Sequence, residues 1–357
     1  VFDDVDHAAS LFGLQAFGNI YTRIGNPTNA VLEERVAALE GGTAALAVAS
    51  GHAAQFLVFL ALLQPGDEFV ASRKLYGGSI NQFNHSYKSF NLNVVWADPD
   101  DLASFEAAVT PKTKAIFIES IANPGGVITD IAAIAAIATK AGVPLIVDNT
   151  LASPYLVRPF EHGADIVVHS LTKFLGGHGN SIGGVIVDGG RFDWLASGRY
   201  PFLSTPRPEY GGIVLGETFG NFAFAIALRV LGLRDLGPAL SPFNAFLILT
   251  GIETLPLRMQ KHSDNALAVA RHLAEHSAVS WVSYPGLDTD RYNALARKYC
   301  PKGAGAVFTF GLKGGNEAGV KVVSNVKLFS HLANVGDTRS LIIHPASTTH
   351  RQLSDAQ

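Results

Sequence analysis

The residues between 169 and 179 combine groups that could hold a phosphate with a lysine that could react with a carbonyl group. Ser170 and Thr172 are separated by one leucine, Lys173 follows directly, and a glycine-rich turn comes next. Hydroxyl groups beside such a turn can bind a phosphate, and a lysine held close by can form a Schiff base. A strand ending in a surface loop with a solvated lysine would look the same, so this stretch alone leaves both interpretations open.

Other polar residues follow apolar segments elsewhere in the chain, namely Asn123 and Asp148. Ligands of a parallel sheet bind at the carboxyl ends of its strands, so these side chains could meet there. Gly51 and His52 precede a helical stretch, whose free N–H groups favour an anion. Taken singly, each residue has a more ordinary explanation, such as a turn aspartate.

Together these groups fit pyridoxal 5′-phosphate (PLP). The lysine would react with its aldehyde, and a carboxylate would keep the pyridine nitrogen protonated. The hydroxyls and the helix start would hold the phosphate. Tyr76, which stands beside Gly77 and Gly78, is the candidate for stacking on the ring.

The elements that must position these groups alternate between helix and strand from about residue 43. Helices are predicted at 53–63, 78–90, 101–109 and 130–141, and strands at 67–72, 92–97, 114–119, 143–148, 165–169 and 183–188. Strands without strict polar alternation, separated by helices, indicate a mostly parallel sheet covered on both faces. The fold class is therefore α/β.

Three regions are predicted along the chain. Residues 1–30 form an arm that contacts a neighbouring subunit, and Thr28 or Asn29 caps the helix that follows it. Residues 31–235 form the α/β domain. Residues 236–357 form a smaller α+β domain that follows a boundary within about ten residues of 235. This last region has helical patterns at 256–276, 291–299 and 316–326, and strand patterns at 279–284, 304–312 and 341–344.

The composition suits a large, well-buried protein, because 48% of the 357 residues are apolar and 16% are charged. The net charge of −3 gives no indication of binding to nucleic acid or to an anionic membrane. Cys300 is the single cysteine, which suggests a reducing compartment, and no Cys/His cluster has zinc spacing. The most apolar run is about half a membrane span long and no targeting peptide opens the chain, so we expect a cytoplasmic location and no metal.

Several stretches together resemble the Cys/Met-metabolism family of PLP-dependent enzymes, which have fold type I. These stretches are residues 21–28, 49–51, 76–78, 119–124, 148–150 and 170–173. A second set resembles the sulfhydrylase branch, which replaces the acetyl ester of O-acetylhomoserine with sulfide or a thiol. That set comprises residues 174–184, 217–220, 240–245, 253–258, 302–305 and 344–350.

The resemblance implies a role for each matching residue. It makes Lys173 the Schiff-base lysine, Asp148 the partner of the pyridine nitrogen, and Tyr76 the stacking ring that helps with proton transfer. Phosphate contacts fall to Gly51, the backbone of His52, Ser170 and Thr172. Asn123 contacts the ring hydroxyl or the substrate, and Asn334 and Val335 line the pocket for the substrate carboxylate. These last assignments come from the resemblance alone.

The same resemblance implies that Tyr21 and Arg23 complete the phosphate site of an adjacent subunit. A homodimer would then be the minimal unit, and a homotetramer of two dimers the expected state.

One family feature is missing. Members carry a carboxylate-binding arginine in an Arg-Leu-Ser-Val-Gly-like motif beyond the equivalent of residues 349–350, and no such motif occurs before Gln357. Arg339 is the nearest arginine, but it does not match the motif position. A bidentate arginine clamp is hard to replace. We therefore expect that the sequence is a piece of a longer protein, cut at both ends, rather than that substrate binding is lost.

Three alternatives to the sulfhydrylation of O-acetylhomoserine remain open at the level of sequence. Sister activities on the same fold are methionine γ-lyase and cystathionine γ-synthase or γ-lyase. A catalytically impaired family member is the second alternative. A dinucleotide-binding oxidoreductase is the third, and it is disfavoured because no Gly-x-Gly-x-x-Gly follows the first strand.

Overall fold

The computed structural model describes residues 2–16, 18–196 and 198–349. The strands of the described residues are β1 (Ala44–Val48), β2 (Glu68–Ser72), β3 (Asn93–Ala97), β4 (Thr113–Glu119), β5 (Ile121–Ala122), β6 (Val127–Ile128), β7 (Leu145–Asp148), β8 (Ile166–Ser170), β9 (Gly184–Asp188), β10 (Val279–Ser283), β11 (Thr309–Leu312), β12 (Ser330–His331) and β13 (Leu341–Ile342).

The α-helices of the same residues are α1 (Val5–Phe12), α2 (Pro27–Glu40), α3 (Gly51–Leu62), α4 (Gly77–Asn81), α5 (Leu102–Ala108), α6 (Ile131–Ala141), α7 (Ser153–Leu156), α8 (Pro201–Ser204), α9 (Leu215–Phe219), α10 (Ala223–Ala227), α11 (Pro242–Glu253), α12 (Leu255–Glu275), α13 (Asn293–Tyr299) and α14 (Gly315–Asn325). Helical turns of π type cover Gln82–Ser86 and Leu228–Leu236, and 3-10 turns cover Tyr87–Phe90, Pro159–His162, Pro208–Tyr210, Gly220–Phe222 and Pro345–Ser347.

The main sheet has the strand order β1-β9-β8-β7-β4-β2-β3. Pairing is parallel from β8 through β7, β4 and β2 to β3, whereas β9 runs antiparallel to both of its neighbours. The six strands of this sheet that the sequence predicts are all present, so the mostly parallel α/β architecture is confirmed. β1 was not among the predicted strands, because its alanines have weak β propensity.

Each face of the sheet packs on its own layer of helices. Successive residues of a strand point to opposite faces, so Phe117 joins one core while its neighbours Ile116 and Ile118 join the other. All three side chains are fully buried. This burial on both faces explains why the strands read as continuous apolar runs rather than as alternating patterns.

The helix α2 begins differently from the prediction. Its N-cap is Asn26, whose side chain accepts a hydrogen bond of 3.0 Å from the N–H of Thr28, and Pro27 is the first helical residue. Proline suits that position because its missing N–H would have no partner there. Capping by Thr28 or Asn29 is therefore wrong. Asn29 is instead buried and donates a 2.9 Å hydrogen bond to the carbonyl of Leu240.

The region after residue 240 combines α11 and α12 with the antiparallel pair β10–β11 and the parallel pair β12–β13. Ala245, Ile248 and Met259 from its helices are buried in the same core as Phe174 and Val185. The domain boundary near residue 235 thus stays a prediction. Within the part of the chain that the structure describes, no helix is both long and apolar enough to cross a membrane.

Candidate active site

Three strands of the main sheet end in polar residues on the same edge. Asp148 ends β7, Glu119 ends β4 and Ser170 ends β8. Glu119 lies opposite Asp148 in the strand register, and β8 is the other neighbour of β7. The carboxyl edge of the sheet therefore gathers the side chains that the sequence placed at separate strand ends.

Lys173 lies in the turn after β8, where it is partly buried and faces a residue from far along the chain. Its Nζ donates a 2.7 Å hydrogen bond to Oδ1 of Asn334. Burial lowers the pKa of Lys173 below the ordinary lysine value. Since the neutral amine is the nucleophile, this shift favours reaction with a carbonyl group.

Asp148 is fixed by hydrogen bonds to both of its oxygens. Oδ1 accepts from the N–H of Thr150 at 2.9 Å, and Oδ2 accepts from Nε2 of Gln55 at 3.2 Å. Gln55 is buried within α3 and was not predicted as a site residue. The signal that could have found it is a lone glutamine within an otherwise apolar helical stretch.

The start of α3 lies against the end of β8. Ser50 caps this helix, accepting a 3.1 Å hydrogen bond from the N–H of Ala53. A Cβ on Gly51 would lie only 2.9 Å from Cβ of Ser170 and 3.1 Å from its Cα. The close approach thus requires glycine, and it places the free N–H groups of the helix start beside the Ser170 hydroxyl. The predicted phosphate contacts of Gly51 and Ser170 stay a prediction, which this close approach supports.

Thr172 closes the loop that follows the lysine. Its Oγ1 accepts from the N–H of Gly183 at 3.1 Å and is 3.3 Å from the carbonyl oxygen of the same residue. The hydroxyl therefore holds the glycine-rich turn in place. Its predicted phosphate contact stays a prediction.

Tyr76 and His52 lie side by side, with ring centroids 5.9 Å apart and planes inclined by 33°. Tyr76 is 49% exposed. A Cβ on Gly78 would collide with the Tyr76 ring, which explains the glycine at that position.

Glu119 holds the backbone of two predicted site residues. Its Oε1 accepts a 2.7 Å hydrogen bond from the N–H of Tyr76, and its Oε2 accepts a 3.1 Å bond from the N–H of Asn123. Burial, and then the charge of Asp148, raise the pKa of Glu119 well above the ordinary glutamate value. Glu119 was not predicted as a site residue, although it lies within the matched stretch 119–124.

A cavity of about 410 Å³ opens next to Lys173. Its lining residues are Thr172, Gly179, Asn180, Ser181, Ile182, Asn244 and Asn334. The volume suits a small-molecule site, and the lining offers amide and hydroxyl groups for orientation. Val335, which follows Asn334 in the chain, packs against the core that contains Ile116 and Ile118.

Tyr21 and Arg23 lie apart from this site. They line a second cavity of about 410 Å³ together with Phe2, Phe12, Ile20, Ile24 and Arg234. The Arg23 guanidinium lies 5.5 Å from the centroid of the Tyr21 ring and donates to the carbonyl of Arg234. Within the described residues, neither side chain hydrogen-bonds to Gly51, Ser170 or Lys173.

Arg339 is engaged by a neighbouring carboxylate. Its Nη2 forms a 2.7 Å ion pair with Oδ2 of Asp337, and its Nε donates to Oδ1 at 3.1 Å. Hydrogen bonding to Arg339 lowers the pKa of Asp337 to about 2. The Arg339 guanidinium is thus already paired with Asp337, and Arg339 is not proposed to bind the substrate carboxylate.

The chain belongs to the Cys/Met metabolism PLP-dependent enzyme family, which it matches over residues 1–357. The predicted family and the cofactor, PLP, are therefore confirmed. Within the described residues, no group of three or more His, Cys, Asp or Glu side chains could hold a metal ion.

Individual relatives are similar over nearly the whole chain. An O-acetyl-L-homoserine sulfhydrylase of Leptospira meyeri is 54% identical and is matched over 99% of this chain and 82% of its own. A homocysteine synthase of Schizosaccharomyces pombe is 50% identical over 100% of this chain and 84% of its own.

A solved structure from Campylobacter jejuni, provisionally named an O-acetylhomoserine (thiol)-lyase, superposes with a TM-score of 0.97 at 43% identity. The superposition covers all of this chain and 85% of the Campylobacter jejuni chain. That solved structure carries N′-pyridoxyl-lysine-5′-monophosphate. The predicted fold type is thereby confirmed.

Proposed function

We propose that the protein catalyses γ-replacement on O-acetyl-L-homoserine, using sulfide or methanethiol and releasing acetate. The products would be homocysteine or methionine. The observation that carries this proposal is the grouping of Lys173, Asp148 and the Gly51–Ser170 contact at one sheet edge, in a chain 54% identical to an O-acetyl-L-homoserine sulfhydrylase.

The residues present fit PLP. Lys173 would attach it, and Asp148 would pair with the pyridine nitrogen. Gly51, the backbone of His52, Ser170 and Thr172 would hold the phosphate. The fit is supported by the Gly51–Ser170 approach, which only a residue without Cβ permits, and by the lowered pKa of the Lys173 amine.

When bound, PLP supplies an electron sink that stabilises negative charge on the carbons next to the substrate amine. Lys173 moves the protons: its Nζ accepts the proton from Cα and returns it later, as general base and then general acid. Asn334 positions that atom, because its Oδ1 lies 2.7 Å from Nζ. The acetate leaving group and the incoming sulfur would share the 410 Å³ cavity beside it.

Asp148 contributes orientation as well as charge. Its two oxygens are held by Gln55 and Thr150, so the carboxyl group cannot rotate freely. Tyr76 would stack on the ring and assist proton transfer. Asn123 would contact the ring hydroxyl or the substrate, and Asn334 and Val335 would line the carboxylate pocket.

The assembly is proposed as a homodimer that pairs into a homotetramer, with Tyr21 and Arg23 completing the phosphate site of the neighbouring subunit. Support comes from the exposed apolar side chains of the first thirty residues: Val5 is 83% exposed, Phe12 61% and Tyr21 62%. Phe12 and Tyr21 line the same cavity as Phe2 and Ile20, and a contiguous exposed apolar patch marks an interaction site. The arm at 1–30, the boundary near 235 and a cytoplasmic location belong to the same proposal.

The test is product analysis with purified protein. O-acetyl-L-homoserine plus sulfide should give homocysteine and acetate in equal amounts. Cystathionine or methionine supplied alone should be turned over far more slowly. Rapid release of a 2-oxo acid and ammonia from methionine would instead assign a lyase, and no turnover of any of these compounds would overturn the proposal.

A further inference from the structure

Glu119 joins two loops that the chain separates. Tyr76 lies in the loop after β2, and Asn123 lies in the hairpin after β4, yet their N–H groups end on the two oxygens of one carboxyl group. The side chain is only 5% exposed. A carboxyl group can satisfy two backbone donors at once, which an amide of the same shape cannot do.

The loop that carries Tyr76 is also held on either side of that residue, because Leu75 is buried and Ser79 accepts a 3.0 Å hydrogen bond from Gln55. The helix after it, α4, is five residues long, and a Cβ on Gly77 would meet nothing within 4 Å. The Tyr76 ring itself is half exposed. The bond to Glu119 is the contact that fixes the backbone of Tyr76 itself to the sheet edge.

The position of Glu119 is electrostatically unfavourable, because its carboxyl group is buried beside that of Asp148. It lies opposite Asp148 in the register of β4 and β7, and burial raises its pKa well above the ordinary value. Burying a carboxyl group beside another disfavours folding unless hydrogen bonds offset the loss of solvation. The two bonds to Tyr76 and Asn123 offset part of that cost, because each of them lowers the pKa of Glu119.

We propose that Glu119 is a positioning residue that fixes the backbones of Tyr76 and Asn123 so that their side chains flank bound PLP. This inference rests on the placement of the cofactor in the proposed function. Glu119 would thus affect the affinity for PLP indirectly, through Tyr76 and Asn123.

The test compares Glu119→Gln with Glu33→Gln by titrating apoenzyme with PLP. Glu33 is a control that loses at least as much on substitution, because it is 8% exposed, accepts a 2.9 Å backbone hydrogen bond from Ala47 and pairs with Arg229 at 2.7 Å. Losing one acceptor should weaken PLP binding about tenfold in Glu119→Gln, with no comparable change in Glu33→Gln. The visible circular dichroism of bound PLP should change in Glu119→Gln alone.

A second comparison separates positioning from general stability. In a Tyr76→Ala/Asn123→Ala background the side chains to be positioned are gone, so Glu119→Gln should weaken PLP binding by less than twofold there. If Glu119→Gln does not fold, Glu119→Asp replaces it, because the shorter side chain cannot reach both N–H groups.

Unchanged PLP affinity in the Glu119 variant, or an equal loss in both backgrounds, would overturn the inference. These titrations contain no substrate. Failure of the proposed γ-replacement in the wild-type protein would therefore be seen separately.

Discussion

Asn334 accepts a 2.7 Å hydrogen bond from Lys173, although 161 positions separate the two residues in the chain. Gly336, just beyond Asn334, has a φ of +83°, and a Cβ on it would collide with the backbone of Lys173 and Phe174. The 334–336 segment is therefore pressed against the lysine turn. This contact brings the C-terminal region to the Lys173 amine.

Lys173→Ala should abolish both turnover and the visible absorbance of covalently bound PLP, because the Lys173 amine is the group proposed to form the Schiff base. Lys140→Ala, at an exposed lysine paired with Glu106, should leave both unchanged. Absorbance spectra and assays of the two variants check this prediction. Retention of activity and absorbance in Lys173→Ala would show that the lysine is assigned wrongly.

Asn334→Asp should shift the pH dependence of PLP attachment to apoenzyme. Burial lowers the pKa of Lys173, so the wild-type amine becomes neutral, and reactive, at lower pH than an ordinary lysine. A carboxylate in place of the Asn334 amide favours the ammonium form and raises that pKa. When the rate of PLP attachment is measured as a function of pH, it should therefore rise at a higher pH in the variant than in the wild type.

Asn244→Asp is the matched control for that shift, since Asn244 lines the same cavity and its side chain donates to the carbonyl of Ile182. It adds the same charge without replacing the atom that accepts from Lys173. An equal shift in both variants would mean that the direct hydrogen bond does not control the amine.

Gly51→Ala should weaken PLP binding and lower the free energy of unfolding by about 1–3 kcal/mol. The new Cβ would lie 2.9 Å from Cβ of Ser170. The backbone of residue 51 is held in α3 and that of Ser170 in β8. Gly77→Ala adds the same atom where nothing lies within 4 Å, and it should cost far less. Thermal unfolding of the apo forms and PLP titration measure the two effects, and equal costs would contradict the close approach.

Asp188→Asn should remove part of the pH dependence of stability. Burial raises the pKa of Asp188 to about 7 from an ordinary value of 3.8, so the folded state favours the protonated form. Its contribution is fully present below pH 3.8 and is lost as the pH rises through 7. By linkage the loss amounts to roughly 4 kcal/mol at alkaline pH.

Asparagine stays neutral, so the fall in unfolding free energy between pH 5 and pH 8 should be smaller in the variant. Urea unfolding of apoenzyme at the two pH values checks this. Asp165, whose pKa burial raises to about 6, adds a second titration that remains in both proteins. Parallel pH profiles for wild type and variant would contradict the assignment to Asp188.

Local sequence patterns are enough to predict the strand ends and the helix start that form the site. Apolar segments ending at Asp148 and Ser170 predict strands whose polar ends share one edge, and glycine at 51 predicts an open helix start. These features follow from periodicity and turn chemistry, which act over a few residues. Even there, local detail can mislead, since Asn26 rather than Thr28 caps α2.

Tertiary structure decided which side chains meet. Gln55 reaches Asp148 because α3 packs on β8, which pairs with β7, and Glu119 lies beside Asp148 because β4 pairs with β7. Neither contact can be predicted from the local sequence, because both depend on the order and register of the strands. The Lys173–Asn334 bond is the extreme case: only the folding of the C-terminal region back onto the sheet edge brings the two together.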